Sequence, residues 1–153
     1  MTFEEWALAA CVVFSGLWSG LLMLTLVMHP MLKAMTGRDF ARFLRAFLPV
    51  ARHAWFDYFA IFGMIVAPIV ALGGDLSGTP FVLTAIGLAL TVAGPLRVQP
   101  LAEPNYDVML TWDPEAIPAD WEARRWRYFA LNWIRFVATL AAFGLFLAAL
   151  NAF

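Results

Sequence analysis

Cysteine is almost absent from this chain, since Cys11 is the only one among 153 residues. A single cysteine cannot form an intrachain disulfide, and it excludes a metal cluster held by several thiolates. We interpret Cys11 as a small apolar packing residue. Histidine is nearly as scarce, with His29 and His53 as the only two. Any site built on imidazole must therefore use one or both of these positions.

Charge is the second shortage. Lys, Arg, Asp and Glu make up 14% of the chain, whereas hydrophobic residues make up 63% and the mean hydropathy is +0.76. A soluble core of this size cannot bury so many apolar side chains. Four apolar stretches, at about residues 6–28, 54–72, 80–96 and 128–152, are long enough to cross a bilayer core as helices. We therefore predict an all-α integral membrane four-helix bundle, with residues 1–153 forming a single domain in contact with the lipid bilayer.

Positive charge is missing from loop 2 and from both ends of the chain. The N-terminus carries Glu4 and Glu5, and loop 2 carries only Asp75. Short loops rich in Lys and Arg stay in the cytoplasm, so we predict a multi-pass protein of the inner (cytoplasmic) membrane with both termini outside. Charges sorted in this way do not indicate a nucleic-acid-binding surface. The basic residues are Lys33, Arg38, Arg42, Arg45 and Arg52 in loop 1, Arg97, Arg124, Arg125 and Arg127 in loop 3, and Arg135 just inside the last helix.

The two basic loops differ in pattern. In loop 1, apolar residues recur at helical spacing over Asp39–Val50, which predicts an amphipathic helix lying on the anionic inner leaflet. Span three is expected to end irregularly at Gly94 and Pro95. Residues 97–120 of loop 3 contain four prolines and five acidic residues. We predict a structured acidic loop here, with one short helix between Asn105 and Thr111.

Small residues are concentrated on one side of span one. Ser15, Gly16, Ser19 and Gly20 form two overlapping small-xxx-small pairs, which let a neighbouring backbone approach closely. The neighbouring helix belongs either to the same chain or to a second copy. A homo-oligomer therefore stays open beside internal packing.

Polar residues of different helices are predicted to meet at the cytoplasmic mouth of the bundle. The helix from Phe136 to Phe153 spans roughly 27 Å, which puts Arg135 at the inner boundary, with Asp57 about a turn inside it. His53 and Asp57 are four residues apart and share a helix face, so the carboxylate can orient the imidazole as a general base. Arg135, with Asn132 beside it, pairs with Asp57, clamps a ligand oxygen, or simply extends its charge to the interface.

The same histidines allow a redox interpretation. His29 ends span one, and with His53 and Asp57 it completes the two-histidine, one-carboxylate set of non-haem metal centres. Two histidines at adjacent helix ends also suit haem ligation. The simpler alternative is that both are ordinary interfacial histidines.

Aromatic residues crowd the same level of the membrane. They indicate either an aromatic belt at the interface or a pocket for a flat apolar ligand. On the second interpretation, the ligand-contacting candidates are Trp55, Trp112, Trp126, Trp133 and Arg97.

The C-terminal third carries a recognisable order of motifs. In chain order these are Pro104-Asn105, Leu110, Trp112, Trp121-Glu122, Trp126, Asn132-x-x-Arg135 and Ala141-Ala142-Phe143. This order resembles the DUF1772 family of small four-span membrane proteins, which includes anthrone oxygenase-like proteins. The resemblance marks Asn105, Trp126, Asn132 and Arg135 as functional, with Asn105 as a further ligand contact, and His29-Pro30 matches the end of the family's first span.

The resemblance implies oxidation of an anthrone-like compound by molecular oxygen with no evident cofactor. We therefore expect a membrane oxygenase or oxidoreductase acting on a hydrophobic aromatic, phenolic or quinol-like small molecule. His53 with Asp57 would be the base, and Arg135 with Asn132 would hold the enolate oxygen. Two alternatives stay open: a non-catalytic assembly partner or small transporter, and a haem- or metal-binding redox protein that uses His29 and His53.

Overall fold

The computed structural model describes residues 1–153 and is all-helical, with no strands and 84% of the chain in helix. Four helical segments are long and apolar enough to cross a membrane: Phe3–Ala34, Trp55–Leu72, Gly78–Leu110 and Trp121–Asn151. The prediction of four spans in an all-α, multi-pass membrane protein is thereby confirmed. The individual elements are α1 (Phe3–Val27), α2 (His29–Ala34), α3 (Gly37–Arg52), α4 (Trp55–Leu72), α5 (Gly78–Thr91), a π-helical step (Val92–Leu96), α6 (Arg97–Leu110) and α7 (Trp121–Asn151).

The sequence suggested that the third span ends at Gly94 and Pro95. In the structure it does not end there. It continues through the π-helical step into α6, so that the loop before α7 shrinks to residues 111–120. Pro95 lacks the backbone donor of a regular turn, and a π-helical turn accommodates that defect without ending the helix. The predicted short helix at Asn105–Thr111 is the last part of α6. Most of the predicted acidic loop is therefore helical.

Gly94 lets the π-helical step lie against α7. A Cβ atom built at this glycine would lie 2.3 Å from the Cβ of Ala138. No side chain fits at that separation, so glycine is required for the two helices to meet. The step thereby brings α6 alongside the first half of α7.

The amphipathic helix α3 packs on protein rather than on lipid. Thr36 caps its start, with Oγ1 accepting from the backbone N–H of Asp39 at 3.2 Å. Its apolar side joins a core cluster with residues of α6 and α7, and Phe40, Ala41 and Leu44 are completely buried. The apolar face that was expected to lie on the inner leaflet is therefore covered by the chain itself.

The arginines of α3 fasten it to the loop before α7. Arg38 and Arg42 both form ion pairs with Glu115, and Arg45 donates to the backbone carbonyl of Trp112. These contacts hold α3 against the loop before α7.

The transmembrane part is a bundle in which α1 packs against both α4 and α7, and α7 also packs against α5. Cys11 is free and buried in a second core cluster, formed by residues of α1, α4 and α7 near the two chain ends. This is the packing role expected of it. On the small-residue side of α1, Ser15 is buried and Gly16 faces Phe143 of α7. Gly20 has nothing within 4 Å of its missing Cβ. This side of α1 therefore serves internal packing up to Gly20.

Candidate functional site

A cavity of about 680 Å³ lies between α1, α3, α4, α6 and α7, at the end of the bundle that carries α3. Its lining divides into an apolar and a polar part. The apolar and aromatic lining consists of Trp18, Leu21, Leu22, Leu24, Met28, Phe47, Leu48, Ala51, Ala54, Tyr58, Ile61, Tyr106 and Tyr128. The polar lining consists of Thr25, Arg52, His53, Asp57, Gln99, Glu103, Asp107, Asn132 and Arg135. The four predicted catalytic residues thus lie around one cavity.

Arg135 is the buried cation of this cavity, with only 5% of its surface exposed. Its Nη2 donates to Gln99 Oε1 at 2.6 Å, and its Nη1 donates to Tyr106 Oη at 3.2 Å. No carboxylate lies within ion-pairing distance, so the predicted pairing with Asp57 is wrong. A buried guanidinium whose partners are all neutral keeps an uncompensated positive charge.

Asn132 positions Arg135 rather than reaching a ligand itself. Its Oδ1 accepts from Arg135 Nη1 at 3.5 Å, and its Nδ2 donates to the backbone carbonyl of Tyr128 at 2.9 Å. Both ends of the amide are therefore engaged within α7. The predicted pairing of Asn132 with Arg135 is present, but Asn132 acts through the arginine.

A hydrogen-bonded chain leads from Arg135 to the surface. Gln99 donates to Glu103, and Arg52 of α3 forms ion pairs with both Glu103 and Asp107, the latter at 2.8 Å. Burial alone would lower the pKa of Arg52, but its hydrogen bond to Asp107 and the charges of Glu103 and Asp107 raise the pKa overall. Arg52 therefore stays charged and joins α3 to α6 at the edge of the cavity.

His53 is not oriented by Asp57. α3 ends at Arg52 and α4 begins at Trp55, so His53 lies in the turn between them and does not share a helix with Asp57. Its Nδ1 lies 2.7 Å from the carbonyl oxygen of Pro49. Because a carbonyl only accepts, Nδ1 must carry the proton, which leaves Nε2 unprotonated in the neutral ring. The Pro49 carbonyl thus plays the orienting role expected of the carboxylate.

Asp57 is a half-buried carboxylate of the cavity wall without any partner. No side chain or backbone donor bonds it, and no cation pairs with it. Arg52 also lines the cavity, but it forms ion pairs with Glu103 and Asp107 of α6. Asp57 therefore remains available to a ligand.

His29 lies outside the cavity, which overturns the predicted metal set. Its ring stacks on Phe129 of α7 at 3.9 Å between centroids, and its Nδ1 accepts from Trp133 Nε1 at 3.2 Å. No group of three or more His, Cys, Asp or Glu side chains is placed to hold a metal ion. His29, His53 and Asp57 do not converge because His29 begins α2 and packs against α7, whereas His53 lies in the turn before α4.

The six predicted ligand-contacting residues also lie outside the cavity. Trp55 and Trp126 are 73% and 68% exposed, as expected for an interfacial belt, and Trp133 and Arg97 are exposed as well. Trp112 is buried against Phe40 in the core. Asn105 is buried and donates to the backbone carbonyl of Arg124 at 3.2 Å, a structural contact. Helix rotation decides these positions, and residue type does not reveal it.

Several lining residues escaped the sequence reasoning, namely Trp18, Arg52, Gln99, Tyr106 and Tyr128. Tyr128 had a usable signal, because Tyr128, Asn132, Arg135 and Thr139 follow the i, i+4, i+7, i+11 spacing of one helix face. Gln99 had none, since it lay in a segment expected to be a loop, and the short helix predicted around Tyr106 did not show which way its side chain points.

Comparison of the chain with protein-family models, with curated proteins and with solved structures finds no match. The resemblance to the DUF1772 family therefore stays a prediction.

Proposed function

We propose that this chain is a membrane-embedded oxygenase that oxidises a hydrophobic ring compound bearing a phenolic or keto oxygen, of the anthrone or quinol class. One observation carries the proposal: the buried guanidinium of Arg135 lies in a cavity wall and has only neutral partners. Such a cation favours a developing negative charge on a bound oxygen. The cavity volume of about 680 Å³ lies within the roughly 300–1,000 Å³ range of small-molecule sites.

The composition of the lining supports an apolar, aromatic substrate. Trp18, Phe47 and several leucines provide apolar contact area, and the polar lining residues provide groups that can bond an oxygen. Leu24 of α1 and Tyr58 of α4 are exposed at the rim. An apolar compound dissolved in the bilayer can enter between these two helices without crossing water.

The proposed reaction, written for an anthrone, begins when Nε2 of His53 removes a proton from the CH₂ carbon between the two aromatic rings. The resulting enolate oxygen is held by Arg135. The enolate gives one electron to molecular oxygen, and the carbon radical and superoxide then combine to form a C–O bond. The peroxide takes a proton from His53. Loss of water breaks the O–O bond and the second C–H bond and leaves a ketone, so one O₂ is consumed, one of its atoms leaves as water, and no outside reductant is needed.

The proposal includes a location and a topology. The arginine-rich loops face the cytoplasm of the inner membrane by the positive-inside rule, with both termini outside. The cavity then opens at the cytoplasmic mouth of the bundle. Membership of the DUF1772 family, which the motifs between Pro104 and Phe143 favour, belongs to the same proposal.

The first test is oxygen uptake by the purified protein in detergent with anthrone as substrate, followed by the absorption of anthraquinone. The absorption spectrum and metal content of the protein are measured on the same sample. Oxygen uptake that matches anthraquinone formation one to one, with no stoichiometric metal or haem, supports the proposal. Stoichiometric haem or metal supports the redox alternative. Binding of anthrone without any uptake supports a non-catalytic carrier.

A further inference from the structure

Tyr128 of α7 is the most enclosed polar side chain of the cavity lining. It is 2% exposed, and aromatic rings surround it: the centroid of Tyr106 lies 5.7 Å away, that of Phe129 lies 5.5 Å away, and that of Phe40 lies 6.1 Å away. These contacts fix the ring and leave the hydroxyl no freedom to seek water at the surface.

The hydroxyl of Tyr128 has no partner within the protein, yet it is not sealed off. Every other tyrosine hydroxyl is engaged, since Tyr58 donates to the carbonyl of Arg52 at 2.6 Å and Tyr106 accepts from Arg135. The buried polar atoms that lack both a partner and any accessible surface do not include Tyr128 Oη. What surface it keeps therefore faces the cavity that it lines. Buried hydroxyls are nearly always hydrogen-bonded, so this one is available to an acceptor in the cavity.

Three contacts link Tyr128 to the cation Arg135. Arg135 bonds the hydroxyl of Tyr106, the ring of Tyr106 packs on that of Tyr128, and Asn132 bonds both Arg135 and the backbone of Tyr128. Both residues also line the same cavity, so one ligand can contact both.

We propose that the Tyr128 hydroxyl donates a hydrogen bond to the ligand oxygen that Arg135 attracts, and so selects oxygenated rings over rings without oxygen. The inference rests on the proposed function for its ligand class. It adds a specificity-determining residue that acts in binding, before any oxygen chemistry.

The test compares two probes of one shape, anthrone and 9,10-dihydroanthracene, which lacks the oxygen. Binding to the detergent-purified chain is measured under argon by quenching of tryptophan fluorescence. Tyr128→Phe is expected to weaken anthrone binding roughly three- to tenfold and to leave dihydroanthracene binding within about twofold, as for loss of one neutral hydrogen bond. Thr139→Val is the matched control, because it removes a buried hydroxyl of the same helix face that already bonds the carbonyl of Arg135 at 2.8 Å.

The outcomes separate this inference from the oxygenase proposal. Loss of selectivity in Tyr128→Phe without any oxygen uptake by the unmodified chain upholds the inference and overturns the oxygenase. Oxygen uptake together with unchanged selectivity in Tyr128→Phe does the reverse. Equal weakening of both probes also overturns the inference, since it indicates a change of shape. Failure of the unmodified chain to bind either probe overturns both.

Discussion

Arg135 of α7 donates a 2.6 Å hydrogen bond to the side-chain oxygen of Gln99 on α6, across a separation of 36 residues in the chain. Gln99 in turn donates to Glu103, so the guanidinium of Arg135 is connected to a carboxylate only through the Gln99 amide. The positive charge is thereby held in place without being neutralised. A cavity wall with this property is suited to stabilise an anionic oxygen.

Arg135→Gln is expected to reduce kcat/KM for anthrone by about 100-fold or more, because loss of a group that stabilises a developing oxyanion costs roughly 10²–10³. Arg135→Lys keeps the charge but not the fork of donors, so its kcat/KM should fall between those of the unmodified protein and Arg135→Gln. Arg97→Gln is the control, since Arg97 is an exposed arginine outside the cavity. Steady-state oxygen uptake measures all three, and equal activity in Arg135→Gln would remove the arginine from the mechanism.

His53→Ala is expected to lower kcat by about 100-fold or more, the range for loss of a general base. His53 is exposed at the edge of the cavity, so added imidazole should restore part of the rate. His29→Ala serves as the comparison, because His29 packs on Phe129 outside the cavity. A rate that survives in His53→Ala would assign the base to Asp57.

Asp57→Asn should not lower the thermal stability of the protein. The carboxylate has no hydrogen-bond or ion-pair partner to lose, and an amide is cheaper to keep half-buried than an unpaired charge. Circular dichroism melting in detergent is the measurement. A clear drop in Tm would reveal a structural partner and contradict the view that this carboxylate is available to a ligand.

Gln99→Leu is expected to destabilise the protein by roughly 0.5–1.5 kcal/mol, the net value of a typical hydrogen bond, and to loosen Arg135. The anthrone KM should rise in the same variant, since the guanidinium loses its nearest acceptor. Gln99→Asn, which keeps an amide on a shorter stem, tests whether reach matters. Unchanged stability and KM would show that water replaces Gln99 without cost.

Gly94→Ala is expected to destabilise the bundle by about 1–3 kcal/mol, because the new methyl group would overlap Ala138 and force the π-helical step away from α7. Gly144→Ala is the matched control, as nothing lies within 4 Å of its missing Cβ. Denaturation in detergent compares the two. A Gly94→Ala variant as stable as the control would mean that the two helices separate freely.

The sequence predicts the depth of the candidate site residues in the bundle but not their pairings. Counting residues along the helices predicts that His53, Asp57, Asn132 and Arg135 lie at one end of the bundle, and all four line the cavity there. Their pairings were wrong in two of three cases, since neither His53 nor Arg135 bonds Asp57. Depth follows from counting residues along a helix, whereas pairing depends on how each helix is rotated.

The number of spans, their approximate positions and the scarcity of charge within them all follow from the amino-acid sequence. Each of these is a sum over about 20 neighbouring residues, and transfer into lipid depends on that sum alone. Only the tertiary structure decided that α3 packs on protein, that a π-helical step carries span three into α6, and that Gln99 and Tyr106 meet Arg135. These features arise from contacts between distant segments, whose geometry is set by the close approach of helices and not by the composition of any one of them.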